Sequence, residues 1–219
     1  DCLAEFVPET GSLKRLIPLE ADIPENRSND GKCDPAGRFW VGSMAPDDHE
    51  GGASLYRLEK DYSLCRVLSG VTISNGLVWS HDRTKMYYID TPTRHVFAFD
   101  YRLETGEISN RRVCIEIPQG RGFPDGMTID EEGMLWIALF GGWGVSRWNP
   151  LNATMLEYVE MPVKNITSCS FGGERLDELY VTSARILNTE SELAQQPHAG
   201  NLFHLEPGVR GVPLAVFAG

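Results

Sequence analysis

The sequence lacks the features by which several protein classes are identified. No apolar run reaches the roughly 18 residues that a membrane-spanning helix needs. There is no P-loop, no G-x-G-x-x-G, no G-x-S-x-G and no HExxH, so nothing indicates a nucleotide site, a serine-hydrolase elbow or a zinc-protease site. The start, DCLAEFVPE, carries no signal-peptide pattern. We therefore expect neither a membrane partner nor a secreted protein.

Positive charge and cysteine are also scarce. The chain holds 20 lysines and arginines against 31 aspartates and glutamates, which gives a formal net charge of −11. An acidic chain repels a phosphate backbone, and this argues against a nucleic-acid partner. Five scattered cysteines with no CxxC pair indicate reduced thiols rather than a disulfide framework. Together these features predict a cytoplasmic protein.

The chain does contain a repeat. Four segments share a polar residue, a short apolar stretch, a turn and an aromatic strand, at 29–43, 74–90, 124–139 and 167–183. Their aromatic anchors are spaced by 48, 48 and 44 residues, at Trp40, Tyr88, Trp136 and Tyr180. A four-stranded unit with this period is typical of a β-propeller blade, whereas a β-sandwich has no such regular period.

Further strands complete each unit. A second strand is predicted after each anchor, at 54–59, 95–100, 144–149 and 201–206. Segment 189–196 favours a short helical turn, and segment 1–20 reads as two outer strands joined at Gly11. The sequence thus predicts an all-β fold, with four full blades and part of a fifth in one domain over 1–219. Because the chain begins in mid-unit, we expect that N-terminal residues are missing from it.

One polar position recurs in all four units. It is occupied by Asp30, Asn75, Asp125 and Ser168. The innermost strands of a propeller line a central channel, so equivalent positions at their starts should gather at one mouth of that channel. Carboxylate and amide oxygens gathered there suit a hard divalent cation such as Ca²⁺, Mg²⁺ or Mn²⁺. The alternative is that the Asn-Gly and Asp-Gly pairs are turns whose side chains cap the local backbone.

Segment 26–44, NRSNDGKCDPAGRFWVGSM, resembles the RxNDGKxDPxGRxxxGTM motif of the gluconolactonase/regucalcin family. The likeness continues in order through ISNGLVWS (73–80), FPDGMTIDEEGMLWIA (123–138) and TSCSFGG (167–173), and covers nearly the whole chain. The resemblance implies a six-bladed β-propeller. It also implies one divalent metal ion in the channel, with Ca²⁺, Mg²⁺, Mn²⁺ and Zn²⁺ all open.

The resemblance further implies roles for particular residues. The family's metal ligands are a glutamate near the N-terminus, which has no counterpart here, and two residues that correspond to Asn75 and Asp125. Substrate contacts in the R-x-N-D-G motif correspond to Arg27 and Asn29. Asp47 stands roughly where family members often place an acidic residue, although an ordinary loop carboxylate remains the alternative.

The resemblance implies hydrolysis of a small-molecule sugar lactone. In this hypothesis metal-activated water attacks the lactone carbonyl, and Asp125 acts as the catalytic residue that takes the proton. Asp30 is expected to brace its own turn. Three alternatives stay open: a non-catalytic calcium-binding regulatory protein, a related propeller hydrolase of other esters such as organophosphates, and a bare interaction scaffold.

Overall fold

The chain is described by a computed structural model that covers residues 2–45 and 49–219. Over this part of the chain every strand pairs antiparallel with its neighbour in sequence. Sheets of this kind form because short apolar and aromatic stretches alternate with tight polar turns. The predicted N-terminal pair of outer strands is present as a hairpin of β1 (Cys2–Val7) and β2 (Ser12–Pro18).

Four larger sheets follow the hairpin, and we refer to them as the first to fourth blades. The first consists of β3 (Arg27–Cys33), β4 (Phe39–Met44), β5 (Ala53–Leu58) and β6 (Leu64–Val71). The second consists of β7 (Ser74–Trp79), β8 (Lys85–Asp90), β9 (His95–Tyr101) and β10 (Ile108–Glu116). The third consists of β11 (Phe123–Ile129), β12 (Leu135–Phe140), β13 (Gly144–Asn149) and β14 (Thr154–Glu160). The fourth has three strands among the described residues, β15 (Ile166–Gly172), β16 (Glu178–Ser183) and β17 (Leu202–Leu205).

The blades are arranged around an axis with their first strands innermost. Strand β7 contacts β3 on one side and β11 on the other, and β11 in turn contacts β15. Each inner strand therefore lies beside the inner strand of the next blade. The prediction of an all-β propeller with four blades is confirmed.

Both faces of the inner strands in the second and third blades are buried, which explains the apolar runs in the sequence. In strand β12, Leu135 and Ile137 pack toward the second blade, while Trp136 and Ala138 pack toward the fourth. Neighbouring side chains of a strand point to opposite faces, so a strand between two blades must be apolar at every position. The stretch LWIAL therefore lacks the polar alternation of a half-exposed strand.

A buried carboxylate ties the first blade to the second. Asp34 accepts hydrogen bonds from Trp40 Nε1 at 3.0 Å, from Arg38 Nε at 2.7 Å and from the Tyr101 hydroxyl at 2.8 Å. Burial alone would raise the pKa of Asp34, but these hydrogen bonds outweigh it and lower the pKa. The third blade repeats the same carboxylate, indole and guanidinium at Asp130, Trp136 and Arg147.

The predicted helical turn at 189–196 is confirmed as helix α1 (Glu190–Gln195). Thr189 caps it, since its hydroxyl accepts from Glu192 N while the Glu192 carboxylate accepts from Thr189 N. No helix in the described ranges is both long and apolar enough to cross a bilayer. The five cysteines are free thiols, as predicted.

Candidate functional site at the channel mouth

The starts of the four inner strands lie side by side, and we call this region the channel mouth. Asn29 of β3 donates from Nδ2 to the Ser74 carbonyl of β7 at 2.8 Å. Gly76 of β7 lies against the backbone of Asp125 in β11, and Gly126 lies against Ser168 in β15. The repeated polar positions of the sequence thus lie on the inner strands of four neighbouring blades.

Each inner strand carries an irregularity at this level. Pairing shifts occur between Ser28 and Gly31 in β3 and between Asn75 and Leu77 in β7. The same shift recurs in the other two blades, between Pro124 and Met127 and between Ile166 and Ser168. A β-bulge leaves residues unpaired in the ladder and re-aims their side chains, and such bulges are common beside active sites. Asp125 lies within such a shift and Asn75 at the edge of one.

The alternative in which these Asn-Gly and Asp-Gly pairs form turns is wrong. The pairs lie inside β3, β7 and β11, and neither Gly76 nor Gly126 has a positive φ. A Cβ on Gly76 would come within 2.6 Å of Met127 Cβ and 2.7 Å of the Asp125 carbonyl oxygen. The glycine is required because two backbones approach closely there.

Sequence reasoning did not foresee the bulges. A polar-glycine pair inside an otherwise apolar strand is the signal that could have revealed them.

Asp125 has an unusual ionisation. Burial raises its pKa to about 7, and the nearby charge of Asp30 adds to the rise. Hydrogen bonds from the Asn75 side chain and from Gly126 N offset only part of this effect. No cationic side chain in the described part of the chain lowers the pKa of Asp125, so its charge would be stabilised by a cation bound at the channel mouth.

Asp30 and Lys32 form a second polar pair on β3. Asp30 Oδ1 accepts from Gly31 N at 2.8 Å, so it braces the local backbone, but this backbone is a strand and not the predicted turn. Lys32 Nζ donates to the Met127 carbonyl of β11 at 2.8 Å, across the intervening strand β7. Burial raises the pKa of Asp30 and lowers that of Lys32, while their mutual attraction opposes both shifts. Lys32 was not identified from the sequence, because its partner lies 95 residues away.

Asn75 is held by a short chain of hydrogen bonds. Its side chain is buried, and Nδ2 donates to the Thr91 hydroxyl at 2.9 Å. That hydroxyl donates in turn to the Pro124 carbonyl at 2.8 Å, next to Asp125. Asn75 Oδ1 accepts no hydrogen bond from the described residues and is left as an oxygen donor for a ligand.

Arg27 and Asn29 stand together at the start of β3. Arg27 is exposed, and Nη1 donates to Asn29 Oδ1 at 3.3 Å and to the Ser28 carbonyl at 3.0 Å. Asn29 connects this pair to Ser74, the neighbour of Asn75 in the chain. Asp47, the remaining candidate from the sequence, lies outside the described residues.

A cavity of about 430 Å³ opens at the opposite ends of the same strands. It is lined by Lys32, Trp79, Thr128 and residues 212–215, among others, and does not include Asn75 or Asp125. The two candidate metal ligands from the sequence therefore lie at the mouth and not in this cavity.

Residues 2–185 match the family model described as the SMP-30/gluconolactonase/LRE-like region. The chain belongs to this family. Two curated proteins illustrate the likeness, each 44% identical to this chain. Zebrafish (Danio rerio) regucalcin matches over 94% of the chain and 72% of its own length, and a Bacillus subtilis protein named "Putative sugar lactone lactonase YvrE" over 88% and 66%.

Solved structures of the SMP-30/gluconolactonase/LRE-like family have the same fold. A calcium-binding protein, regucalcin, from Agrobacterium tumefaciens aligns with a TM-score of 0.94 at 29% identity, over 99% of this chain and 73% of its own. A luciferin-regenerating enzyme aligns with a TM-score of 0.86 at 38% identity, over 94% and 69%. This chain spans 66% to 73% of the length of the curated relatives it matches.

The donor set at the channel mouth fits a divalent metal ion. Asn75 Oδ1 and the Asp125 carboxylate are hard oxygen donors on adjacent strands, and the carboxylate lacks a cationic partner. Among the described residues no three His, Cys, Asp or Glu side chains form a metal-binding group. The two residues would therefore supply only part of the coordination shell of such an ion, and oxygen donors suit Ca²⁺, Mg²⁺ or Mn²⁺ better than zinc.

Proposed function

We propose that the protein carrying this chain hydrolyses sugar lactones, with a divalent metal ion held by Asn75 and Asp125. The observation that carries the proposal is the partly buried Asp125 carboxylate, whose pKa is raised to about 7 beside an amide oxygen with no donor among the described residues. Membership of a family that includes gluconolactonases supports a lactonase-like hydrolase.

The metal ion, when bound, supplies Lewis-acid polarisation of the lactone carbonyl. Asp125 is suited to take a proton from the attacking water, because a carboxylate beside the ion also lies within reach of a water bound there. The water oxygen adds to the carbonyl carbon, and the ring C–O bond breaks. The proton held by Asp125 then passes to the departing ring oxygen, which yields a hydroxy acid.

Arg27 and Asn29 orient the sugar. The Arg27 guanidinium is exposed, always charged and rich in donors, so it can hydrogen-bond the hydroxyl or carbonyl oxygens of a lactone. Asn29 has its amide nitrogen bonded to the Ser74 carbonyl, which fixes the side chain in the mouth. Substrate held in this way places its carbonyl toward Asn75 and Asp125.

Lactone hydrolysis, followed by acid release, tests the proposal. The protein is stripped with EDTA, and Ca²⁺, Mg²⁺, Mn²⁺ and Zn²⁺ are added back one at a time. Metal-restored activity should fall by about 10²-fold or more in Asp125→Ala, since the variant lacks both a ligand and the base. Asp61→Ala, at an exposed carboxylate in the turn between β5 and β6, is the matched control and should keep full activity.

A calcium-binding regulatory role is the second candidate. It is favoured by the names of several relatives, which are regucalcins, and by the description of the Agrobacterium protein as calcium-binding. It predicts cation binding with no turnover of any lactone. That result would overturn the enzymatic proposal, and turnover of organophosphates or other esters in place of lactones would redirect it to a different substrate class.

A further inference from the structure

The Asn75 amide is oriented by its hydrogen bond to Asp125, inside the ligand pair, and by a second hydrogen bond to a residue outside the pair. An amide presents oxygen on one side and NH₂ on the other, and only the oxygen can bind a cation. A flip of the side chain by 180° about its last bond would turn two hydrogens toward the ion. Cation binding therefore requires an interaction that keeps Oδ1, and not Nδ2, toward the channel.

Thr91 has the required geometry. Its hydroxyl lies 2.9 Å from Asn75 Nδ2 and 2.8 Å from the carbonyl oxygen of Pro124. A hydroxyl has a single hydrogen, and a carbonyl oxygen can only accept. The hydrogen of Thr91 is thus committed to Pro124, and toward Asn75 the hydroxyl can only accept. The flipped amide would place oxygen against oxygen and lose the bond.

The Thr91 hydroxyl is itself held firmly. Thr91 opens a 3₁₀ turn, Thr91–Thr93, and its backbone N donates to the Ile73 carbonyl at 3.1 Å. The preceding Asp90 is buried and accepts hydrogen bonds from the backbone N of Thr72 and of Ile73. The turn is in this way fixed to the segment that leads into β7, the strand that carries Asn75.

We infer that Thr91 is a positioning residue that locks the Asn75 amide with Oδ1 toward the channel and so sets the affinity of the mouth for a divalent cation. The same hydroxyl ties Asn75 to Pro124, and hence to the strand that carries Asp125. Loss of an outer hydrogen-bond partner of a metal ligand typically costs 10- to 100-fold in metal affinity. The inference rests on the proposed function for its cation and on hydrogen bonding alone for the orientation of the amide.

Three variants test it. Thr91→Val keeps the shape and the β-branch but removes the hydroxyl, and Thr91→Ser restores it. Thr93→Val is the matched control, since the Thr93 hydroxyl also bonds backbone groups of this turn, Asp90 O at 2.6 Å and His95 N at 3.2 Å, without reaching Asn75. Calorimetric titration with Ca²⁺ and Mn²⁺ should give a Kd at least about ten-fold weaker for Thr91→Val. Thr91→Ser and Thr93→Val should bind like wild type.

A second measurement needs no metal. The side-chain amide of Asn75 is assigned by NMR from the signal that disappears in Asn75→Asp. In wild type its protons should exchange slowly with water, because one is bonded to Thr91, and Thr91→Val alone should speed the exchange. Wild-type affinity together with unchanged exchange in Thr91→Val overturns the inference. If wild type binds no cation, the metal-dependent proposal fails, and the exchange comparison alone decides whether Thr91 fixes the amide.

Discussion

Replacement of Gly76 by alanine tests whether the close contact between β7 and β11 builds the channel mouth. The added Cβ would lie 2.6 Å from Met127 Cβ, 2.7 Å from Asp125 O and 2.8 Å from Met127 N. Ordinary van der Waals separations are about 3.5–4.0 Å, so the strands must part by roughly 0.7 Å or more. No rotamer change relieves the contact, because all three atoms belong to the backbone or are fixed to it.

The expected cost of Gly76→Ala is about 1–3 kcal/mol in the free energy of unfolding, the usual range for an overpacked interior. That is a large part of the roughly 5–15 kcal/mol that stabilises a domain. Urea unfolding followed by tryptophan fluorescence measures it. Gly70→Ala serves as a comparison, since nothing lies within 4 Å of its added Cβ and only its positive φ of 71° opposes alanine.

The same separation of the strands should also lower the rate of hydrolysis. Asn75 and Asp125 lie on the two strands that must separate, and a misplacement near 1 Å can cost about 10²-fold in rate. We expect lactone hydrolysis to fall by that order in folded Gly76→Ala protein, while Gly70→Ala stays near wild type. A change in unfolding free energy below about 0.5 kcal/mol, with hydrolysis intact, would refute the role of this contact.

The remaining predictions concern Asp34 and Arg27. Asp34→Ala should lower the free energy of unfolding by about 3–5 kcal/mol, because it leaves the buried Arg38 guanidinium without its carboxylate; denaturant titration measures this, and a loss under 1 kcal/mol would contradict it. The folded-state pKa of Asp34 is lowered, so its stabilising effect is present above its unfolded pKa of about 3.9 and is lost as the pH falls below that value toward the folded pKa. The Asp34→Ala variant lacks this stabilisation, so its acid unfolding should begin at a higher pH than that of the wild type. Arg27→Ala should raise KM for lactones by roughly ten-fold with little change in kcat, and an equal fall in kcat would show that Arg27 acts in the reaction step.

The blade architecture could be predicted from the sequence because its signal is local and repeated. Strands buried on both faces leave apolar runs with an aromatic anchor, and Trp40 and Trp136 stand at the same place in their blades. The repeated polar position followed from the same alignment. It placed Asn75 and Asp125 on neighbouring strands without any knowledge of their contacts.

The contacts themselves could not be predicted, since they join residues far apart in sequence. Whether Gly76 follows Asn75 for a turn or for a close approach depends on β11, about fifty residues later. The contact of Lys32 could not be predicted either, because its partner is a backbone carbonyl two blades away. The sequence around Thr91 shows only a polar turn after a strand, and gives no sign of its contact with Asn75. Local patterns report which residues are buried, but not which atoms meet.

Within the second blade, burial falls from the inner strands to the rim. Every residue of β7 is buried, whereas most of β10, the outermost strand of the same blade, is exposed or partly exposed. Tolerance to substitution should rise along the same radius, with the least freedom where the inner strands touch. Labels, affinity tags or attachment points are therefore best placed on outer strands such as β10 and β14, where they leave the chemistry at the axis undisturbed.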